Sequence, residues 1–334
     1  MYDVLVLGSG PAGLTAAIYL VRFGFHVAVV AGRKWGGQLM LTTDVENYPG
    51  FIKITGPELM TKMREQAKHL GVDIFDLDMT ELRATQAPFT VVAEDKTFQG
   101  KAVIVATGAD TRWLGVPNEE RLRGHGVSSC APCDAFFFKG KPVAVVGGGD
   151  SAMEETQVIA NVSPDVVLIH RRDEFRAQQA MIDKVAARKN VRYIYNTRVV
   201  DVLGKETLTG LLLETPSVSP RQGVKDLDGL IAQFGGTKKE GNQWELPRAG
   251  VFVSVGLIPN TQKFQGLDLD SHGYVKRFEE RDDNGVITYS TKTNIPGVFT
   301  AGDVHDARYK QAITAAAFGC MAALDVAEWF SNGK

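Results

Sequence analysis

Tyr2-Asp3-Val4-Leu5-Val6-Leu7-Gly8-Ser9-Gly10-Pro11-Ala12-Gly13 is an apolar run ending in a glycine-rich turn, and Leu14 to Phe23 beyond it carries apolar residues at helical spacing. Strand, turn and helix in that order are the context a G-x-G-x-x-G fingerprint needs before it reads as a dinucleotide loop. The first glycine allows the tight turn, the second lets backbone approach a pyrophosphate, and the third lets the helix close on the strand. The helix N-terminus then faces the phosphates. The pattern recurs: Pro142 to Val146 is another apolar run, followed by Gly147-Gly148-Gly149-Asp150-Ser151-Ala152. Counted from Gly8 and from Gly147, the next strand ends 23 residues later in both cases, at Ala31 and at His170. Equal offsets imply a duplicated βαβ unit, so an α/β fold with two Rossmann-like nucleotide-binding domains is expected.

The residues at those two strand ends differ. After the first, Val30-Ala31-Gly32-Arg33 lacks the acid that usually holds a ribose hydroxyl. With Gly302-Asp303 as a later partner, the first loop reads as the flavin site, for FAD. After the second, His170-Arg171-Arg172-Asp173-Glu174-Phe175-Arg176 places three guanidinium groups where an NAD site would want a carboxylate. Guanidinium forks match a 2′-phosphate, which favours NADPH. The plainer alternative is a solvated basic turn with an i,i+4 pair on a helix.

Between the loops lies Cys130-Ala131-Pro132-Cys133-Asp134. A short loop entering a helix can bring both sulfurs within bonding reach, and a helix N-terminus would stabilise a thiolate. Asp134 is placed to move protons in thiol–disulfide exchange, or else it is simply an N-terminal helix charge. Cys320, in Phe318-Gly319-Cys320-Met321-Ala322, is expected to be a buried core thiol. With one further cysteine and six scattered histidines, no second ligand pair for zinc exists, so redox is the stronger reading and no metal site is expected.

Bulk properties agree with a two-domain enzyme. A chain of 334 residues suits two domains. Its 37 basic and 39 acidic residues leave a net charge of −2 with no long basic run, so neither nucleic acid nor an anionic membrane is an expected partner. No charged leader precedes the first strand and no run of about 20 apolar residues is evident, so a cytoplasmic protein is expected. Thr55-Gly56-Pro57 should open a helix with Leu59, Met60, Met63, Ala67 and Leu70 on its apolar face. Val103 to Ala106 reads as a strand, Leu114-Gly115-Val116-Pro117 as a linker, and Pro216 to Pro247 as a polar surface excursion. A strand at Gly250 to Gly256, another meeting a loop at Phe299 to Asp303, and an amphipathic helix from Gln311 to Phe330 close the chain. The expected division is a discontinuous FAD-binding domain, 1–115 with 248–334, and an NADPH-binding domain, 116–247, carrying the dithiol.

Over essentially its whole length the chain resembles the low-molecular-weight thioredoxin reductases of bacteria and archaea. The resemblance is carried by Gly8 to Gly13, Gly36-Gly37-Gln38-Leu39, Val45-Glu46-Asn47-Tyr48-Pro49-Gly50, Ala106-Thr107-Gly108-Ala109, Cys130 to Asp134, Gly147 to Ala152, His170 to Ala177 and Ala301-Gly302-Asp303. It implies three-layer ββα domains of the class II pyridine nucleotide-disulfide oxidoreductases. It implies FAD at Gly8, Ser9, Gly10, Pro11, Ala12, Gly13, Gly32, Gly36, Gly37, Gln38, Leu39, Asn47, Thr107, Gly108, Gly302, Asp303, Lys310, Gln311 and Ala312. It implies NADPH at Gly147, Gly149, Asp150, Ser151, Ala152, His170, Arg171, Arg172 and Arg176, with Cys133 facing the flavin and Cys130 attacking thioredoxin. A homodimer and a rotation between domains, hinged near Leu114 to Pro117 and Arg248 to Gly250, are implied too. The chain departs from the common pattern with Lys310 for arginine, Ala135 for glycine and a longer excursion after Pro216.

The expected activity is NADPH-driven thioredoxin-disulfide reduction through FAD and the Cys130/Cys133 pair. A flavin dithiol oxidase using oxygen, a peroxiredoxin-reducing flavoprotein, an enzyme with another electron donor and a non-catalytic redox sensor are the alternatives. The arginines argue against the oxidase, which needs no NADPH. The peroxiredoxin-reducing type would be expected to carry an extra N-terminal domain. The intact Cys-x-x-Cys-Asp argues against the sensor.

Overall fold

Val4 lies opposite Val27 on one side and Ala102 on the other, in the middle of three parallel strands. Runs such as Val27–Val30, buried at every position, are what a sheet covered on both faces requires. The computed structural model describes residues 1–42, 44–215 and 227–333. They form two compact units, Met1–Asp110 with Ile258–Lys334, and Thr111–Leu257.

In the first unit, strands Asp73–Phe75, Val27–Val30, Tyr2–Leu7, Lys96–Val105 and Val298–Thr300 lie side by side, and Ile287–Lys292 and Phe278–Arg281 continue the sheet to one edge. Helices Pro11–Arg22, Gly56–His69 and Ala312–Ser331 cover one face, burying Leu14, Leu20, Leu59, Met60 and Phe299. An antiparallel meander of Met79–Arg83 and Phe89–Ala93 on Lys96–Val105 covers the other, burying Leu5, Leu7, Phe89 and Val91. The result is the expected ββα layering, in which each fully buried large apolar side chain contributes about 1.5–3 kcal/mol. Helix Gly56–His69 starts where the sequence predicts, with the Thr55 hydroxyl accepting from Glu58 N at 3.3 Å.

Ala312–Ser331 is long and apolar enough, by length and composition, to cross a membrane. Much of that apolarity is spent on the core, where Ala315, Ala316, Ala322, Ala323, Val326 and Trp329 are buried. A Cβ built on Gly319 would lie 2.1 Å from the Ala12 carbonyl oxygen, so this helix and Pro11–Arg22 cross at backbone contact. Its one buried charge, Asp325, accepts from Ser290 N, Thr291 N and the Thr291 hydroxyl, locking the helix to the sheet edge.

The second unit repeats the plan. Its parallel sheet runs Val127–Ser128, Gly250–Ser254, Val143–Gly147, Val166–Ile169, Val191–Ile194. Helices Asp150–Ala160 and Gln179–Ala186 lie on one face. On the other is an antiparallel sheet in the order Arg198–Leu203, Gly210–Glu214, Gln243–Pro247, Thr237–Lys238.

Residues 216–226 of the predicted excursion lie outside the described ones. The remainder is mostly exposed or half-buried, as a surface segment should be, but it anchors Ile231, Phe234, Trp244 and Leu246 in the core. Strand Gln243–Pro247 alternates half-buried and buried positions, so averaging over the segment hides its inward half. The adjoining Arg248, buried against Asp165 and Arg192, donates from Nη1 to the carbonyls of Phe234 and Pro247. Burial pushes its basicity down. The predicted linker is also held: Leu114 N and Gly115 N donate to the two carboxylate oxygens of the buried Glu119, at 2.9 and 2.8 Å.

Candidate functional site: two dinucleotide loops and a closed disulfide

The first loop has the geometry its glycines predict. Gly8 has φ +110°, and a Cβ there would meet the Ala106 carbonyl oxygen at 2.2 Å. A Cβ on Gly13 would lie 2.0 Å from Gly8 O, which is the close helix–strand approach, whereas Gly10 faces open space. Pro11 occupies the first helical turn, no side chain caps the helix N-terminus, and Ala12 packs beneath it. Buried Ser9 ties this loop to the next one, its hydroxyl donating to Ala31 O at 2.8 Å and accepting from Gly36 N at 2.9 Å. Gly36 and Gly37 both take positive φ, and they lead into the short 3₁₀ turn Gly37–Leu41, which carries Gln38 and Leu39. Gln38 Nε2 donates to Asp110 Oδ1 at 2.9 Å.

The remaining predicted flavin residues lie in the same unit. Thr107 and Asn260 exchange hydrogen bonds, Asn260 N donates to Gly108 O at 3.0 Å, and Asn47 Nδ2 reaches Gln311 Oε1 at 3.4 Å. A Cβ on Gly302 would lie 2.8 Å from Ala12 Cβ, so Asp303 is brought to the first loop. Beyond it, buried Asp306 accepts from the amides of Arg308, Tyr309 and Lys310. This turn gives Lys310 a φ of +52° and delivers Gln311, the helix cap, to Ala312.

A carboxylate from elsewhere in the sequence does stand at the Gly32 turn. Asp78 Oδ1 accepts from Arg33 N at 2.9 Å and stands 3.5 Å from a Cβ built on Gly32, while Glu94 pairs with the Arg33 guanidinium at 2.7 Å. No local spacing rule could find Asp78, because a different strand junction supplies it.

Whether these residues fit a flavin dinucleotide turns on Asp303. Its Oδ1 is buried with no hydrogen-bond partner among the described residues, and burial, then neighbouring Asp306, push its carboxyl up to about 6. An orphaned buried acceptor beside an open glycine and an uncapped helix N-terminus suits a cofactor carrying both hydroxyls and phosphates. The residues present fit FAD.

In the second unit, Gly147 packs its α-carbon against Ser254 O, and Gly149 is open and precedes helix Asp150–Ala160. Within that first turn Asp150 Oδ1 accepts from Gln178 N at 2.8 Å, Ser151 follows it, and Ala152 is fully buried. His170 is buried beneath Gly148, and burial lowers its basicity. Arg176 N donates to Gly148 O at 2.7 Å, bringing the arginine segment to the loop. Arg171, Arg172 and Arg176 are exposed and form no ion pair among the described residues. Their segment is not helical, so the i,i+4 alternative has no helix to rest on.

Cys130 and Cys133 form a disulfide, with an S–S distance of 1.99 Å and Cα atoms 5.3 Å apart. Cys133 N and Asp134 N both donate to Cys130 O, closing a single helical turn, Ala131–Asp134, that passes into the 3₁₀ turn Ala135–Phe138. The helix expected at the pair is one short α-helical turn followed by one 3₁₀ turn. Asp134 is more than a solvated helix charge, since its Oδ2 accepts from the Ser128 hydroxyl at 2.6 Å. Ser128 is the residue the sequence reading missed, two positions before the motif. Cys320, expected in the core, is a half-buried free thiol whose hydrogen bond with Tyr19 raises that phenol's pKa. No cluster of three or more potential metal ligands occurs among the described residues.

Two dinucleotide folds with a redox-active cysteine pair define a disulfide oxidoreductase. Residues 2–319 match the pyridine nucleotide-disulphide oxidoreductase family. A thioredoxin reductase of Mycolicibacterium smegmatis is 42% identical over 99% of this chain and 97% of its own. The bifunctional thioredoxin reductase/thioredoxin of Mycobacterium leprae is 42% identical over 99% of this chain, which spans 66% of that longer protein. A glucosaminate ammonia-lyase of Pseudomonas fluorescens is 40% identical over 98% of this chain and 96% of its own. Among solved structures, thioredoxin reductase from Giardia duodenalis superposes with a TM-score of 0.84 at 33% identity, covering 99% of both chains. The chain belongs to the pyridine nucleotide-disulphide oxidoreductase family, among its thioredoxin reductases, which use FAD and NADPH.

Proposed function

We propose that this protein is an NADPH-dependent thioredoxin reductase. The observation that carries the reading is the closed Cys130–Cys133 disulfide, followed directly by Asp134, in a chain with two dinucleotide loops, the second of which leads to Arg171, Arg172 and Arg176. A bound FAD would supply the two-electron chemistry that links NADPH to this disulfide. Gly8 to Gly13, the Gly32 to Leu39 loop, Asn47, Thr107, Gly108, Gly302, Asp303 and Lys310 to Ala312 hold it. Gly147, Gly149 to Ala152 and His170 bind the pyrophosphate and ribose of NADPH, and the unpaired Arg171, Arg172 and Arg176 supply the donors that a 2′-phosphate requires.

Opening the disulfide consumes two electrons and two protons and leaves two thiols. The Cys130 thiolate then attacks one sulfur of the thioredoxin disulfide, forming a mixed disulfide and releasing a partner thiolate that must be protonated. Cys133 attacks Cys130 Sγ, re-forming the intramolecular bond and releasing the second partner thiolate. Asp134 holds and moves a proton beside this exchange. A lyase reaction such as that named for the Pseudomonas relative would leave the disulfide without a task. A cytoplasmic location and a homodimer are part of the proposal, resting on the sparse cysteine usage and on the likeness to the family.

The test is a trap. The Cys133→Ser protein with a reduced Cys130, mixed with a thioredoxin whose second active-site cysteine is replaced by serine and whose remaining cysteine is activated as a mixed disulfide with an aromatic thiol, should accumulate a covalent adduct whose tryptic map joins Cys130 to thioredoxin. An adduct absent from Cys133→Ser and present in Cys130→Ser would reverse the two roles, and absence from both would remove thioredoxin as the partner.

A further inference from the structure

Two atoms of the cysteine turn are tied to one hydroxyl. Ser128, at the end of strand Val127–Ser128, is buried; its Oγ lies 2.6 Å from Asp134 Oδ2 and 3.1 Å from Cys130 N. A serine hydroxyl has one proton to give and lone pairs to accept with. Because its oxygen receives the Cys130 amide proton, its own proton is free to point at the Asp134 carboxylate. The Cys130 carbonyl is meanwhile held by Cys133 N and Asp134 N, at 3.2 and 3.1 Å. The Asp134 carboxylate is therefore referenced to the backbone of Cys130, through a residue fixed in the sheet by pairing with Phe252, and not only to the sulfurs, whose positions must change when the disulfide opens.

We propose that Ser128 is a positioning residue for thiol–disulfide exchange, holding Asp134 in register with Cys130 in both the disulfide and the dithiol state. It acts through Asp134 and touches neither sulfur in the proton step. Without it, the carboxylate loses a charge-assisted hydrogen bond and the Cys130 amide loses its acceptor. The proposal rests on the disulfide being the exchanging centre.

The experiment is a double-mutant cycle on the holoenzyme, with Ser128→Ala, Asp134→Asn and the double variant, plus Ser128→Thr as the conservative replacement. The readout is the rate of thioredoxin reduction, beside the rate at which NADPH reduces the bound flavin. Ser128→Ala should slow thioredoxin reduction about tenfold, a modest part of the roughly 10²–10⁴-fold that a positioned proton-transfer group contributes. It should leave flavin reduction unchanged, and Ser128→Thr should restore most of the loss. In the Asp134→Asn background Ser128→Ala should have little further effect, because the residue it positions is gone. Equal slowing in both backgrounds, or no slowing in either, overturns the proposal. Failure of the underlying reading is a different result, in which Cys130→Ser still reduces thioredoxin. Should Ser128→Ala fail to fold, lack of rescue by Ser128→Thr with native flavin content overturns it equally.

Discussion

Gly148 lies directly over the imidazole of His170: a Cβ built on the glycine would stand 2.2 Å from Cε1 and 2.4 Å from Nδ1 of the ring. The ring is buried, so it cannot swing away into solvent. Gly148 also holds the arginine segment, its carbonyl accepting from Arg176 N. Gly148→Ala should therefore displace the whole 2′-phosphate corner. A clash of this kind costs about 1–3 kcal/mol, so the KM for NADPH should rise about tenfold or more. Flavin content and the Cys130–Cys133 disulfide should be unaffected. Steady-state kinetics against NADPH concentration checks this, and an unchanged KM contradicts it.

The three exposed arginines carry a separate expectation. Changing Arg171, Arg172 and Arg176 together to Ser should leave stability unaltered, because none has an ion-pair partner to lose among the described residues. It should raise the KM for NADPH by roughly 10²-fold while leaving NADH use nearly constant, erasing the preference between them. The parent's KM for NADPH should climb with ionic strength and the variant's should not. Retained discrimination would place 2′-phosphate recognition elsewhere.

Ser9 joins two cofactor loops through one buried hydroxyl. Ser9→Ala leaves Ala31 O and Gly36 N without that partner. A buried backbone group stripped of its hydrogen bond costs about 1–3 kcal/mol. The thermal midpoint of the flavin-binding unit should fall and FAD should dissociate more readily, as ultrafiltration of free flavin would register. Parent-like retention of FAD would show that the bridge is dispensable.

Asp303 and His305 set opposite pH dependences on the FAD-free protein. Burial, then Asp306, raises the Asp303 carboxyl to about 6, while burial, then Arg277, lowers the His305 imidazole to about 4. Asp303 binds its proton more tightly when folded, so its stabilisation is complete below the ordinary carboxyl range and is lost as pH rises through about 6. His305 releases its proton when folded, so its stabilisation is complete above the ordinary imidazole range and is lost as pH falls through about 4. Each is worth about 3 kcal/mol by linkage at 1.36 kcal/mol per pKa unit, and between about pH 4 and 6 the two nearly cancel. Asp303→Asn should make the apoprotein lose stability as pH falls across that window, and His305→Gln should make it gain. Denaturant midpoints at several pH values test the pair. Identical slopes in both variants would contradict the assignment.

Much of this was legible in the sequence, for reasons particular residues make clear. Gly8, Gly13 and Gly147 are required by backbone approaches that any side chain would block, so the fingerprint and the fold carry the same information. Both βαβ units, the cysteine pair and the helix capped by Thr55 followed from local periodicity and spacing. What was hidden is side-chain geometry that no spacing rule encodes. Asp78 reaches the Gly32 turn from a different part of the sheet, Ser128 meets Asp134 across the cysteine turn, and Asp306 shapes the Lys310 backbone from within a loop. The buried residues of the excursion were missed because Trp244 and Leu246 alternate with Gln243 and Glu245, and mean polarity conceals a half-buried strand. Helix Ala312–Ser331 was read as amphipathic, although Gly319 and its alanine neighbours let it pack closely against Ala12.

The most direct test follows NADPH oxidation and thioredoxin dithiol formation together, with oxygen excluded, in the FAD-loaded protein. Equal amounts of NADPH consumed and thioredoxin reduced are expected, with turnover lost in both Cys130→Ser and Cys133→Ser. NADPH consumption that persists in Cys130→Ser at the parent rate, or that proceeds only when oxygen is admitted, would contradict the proposed function.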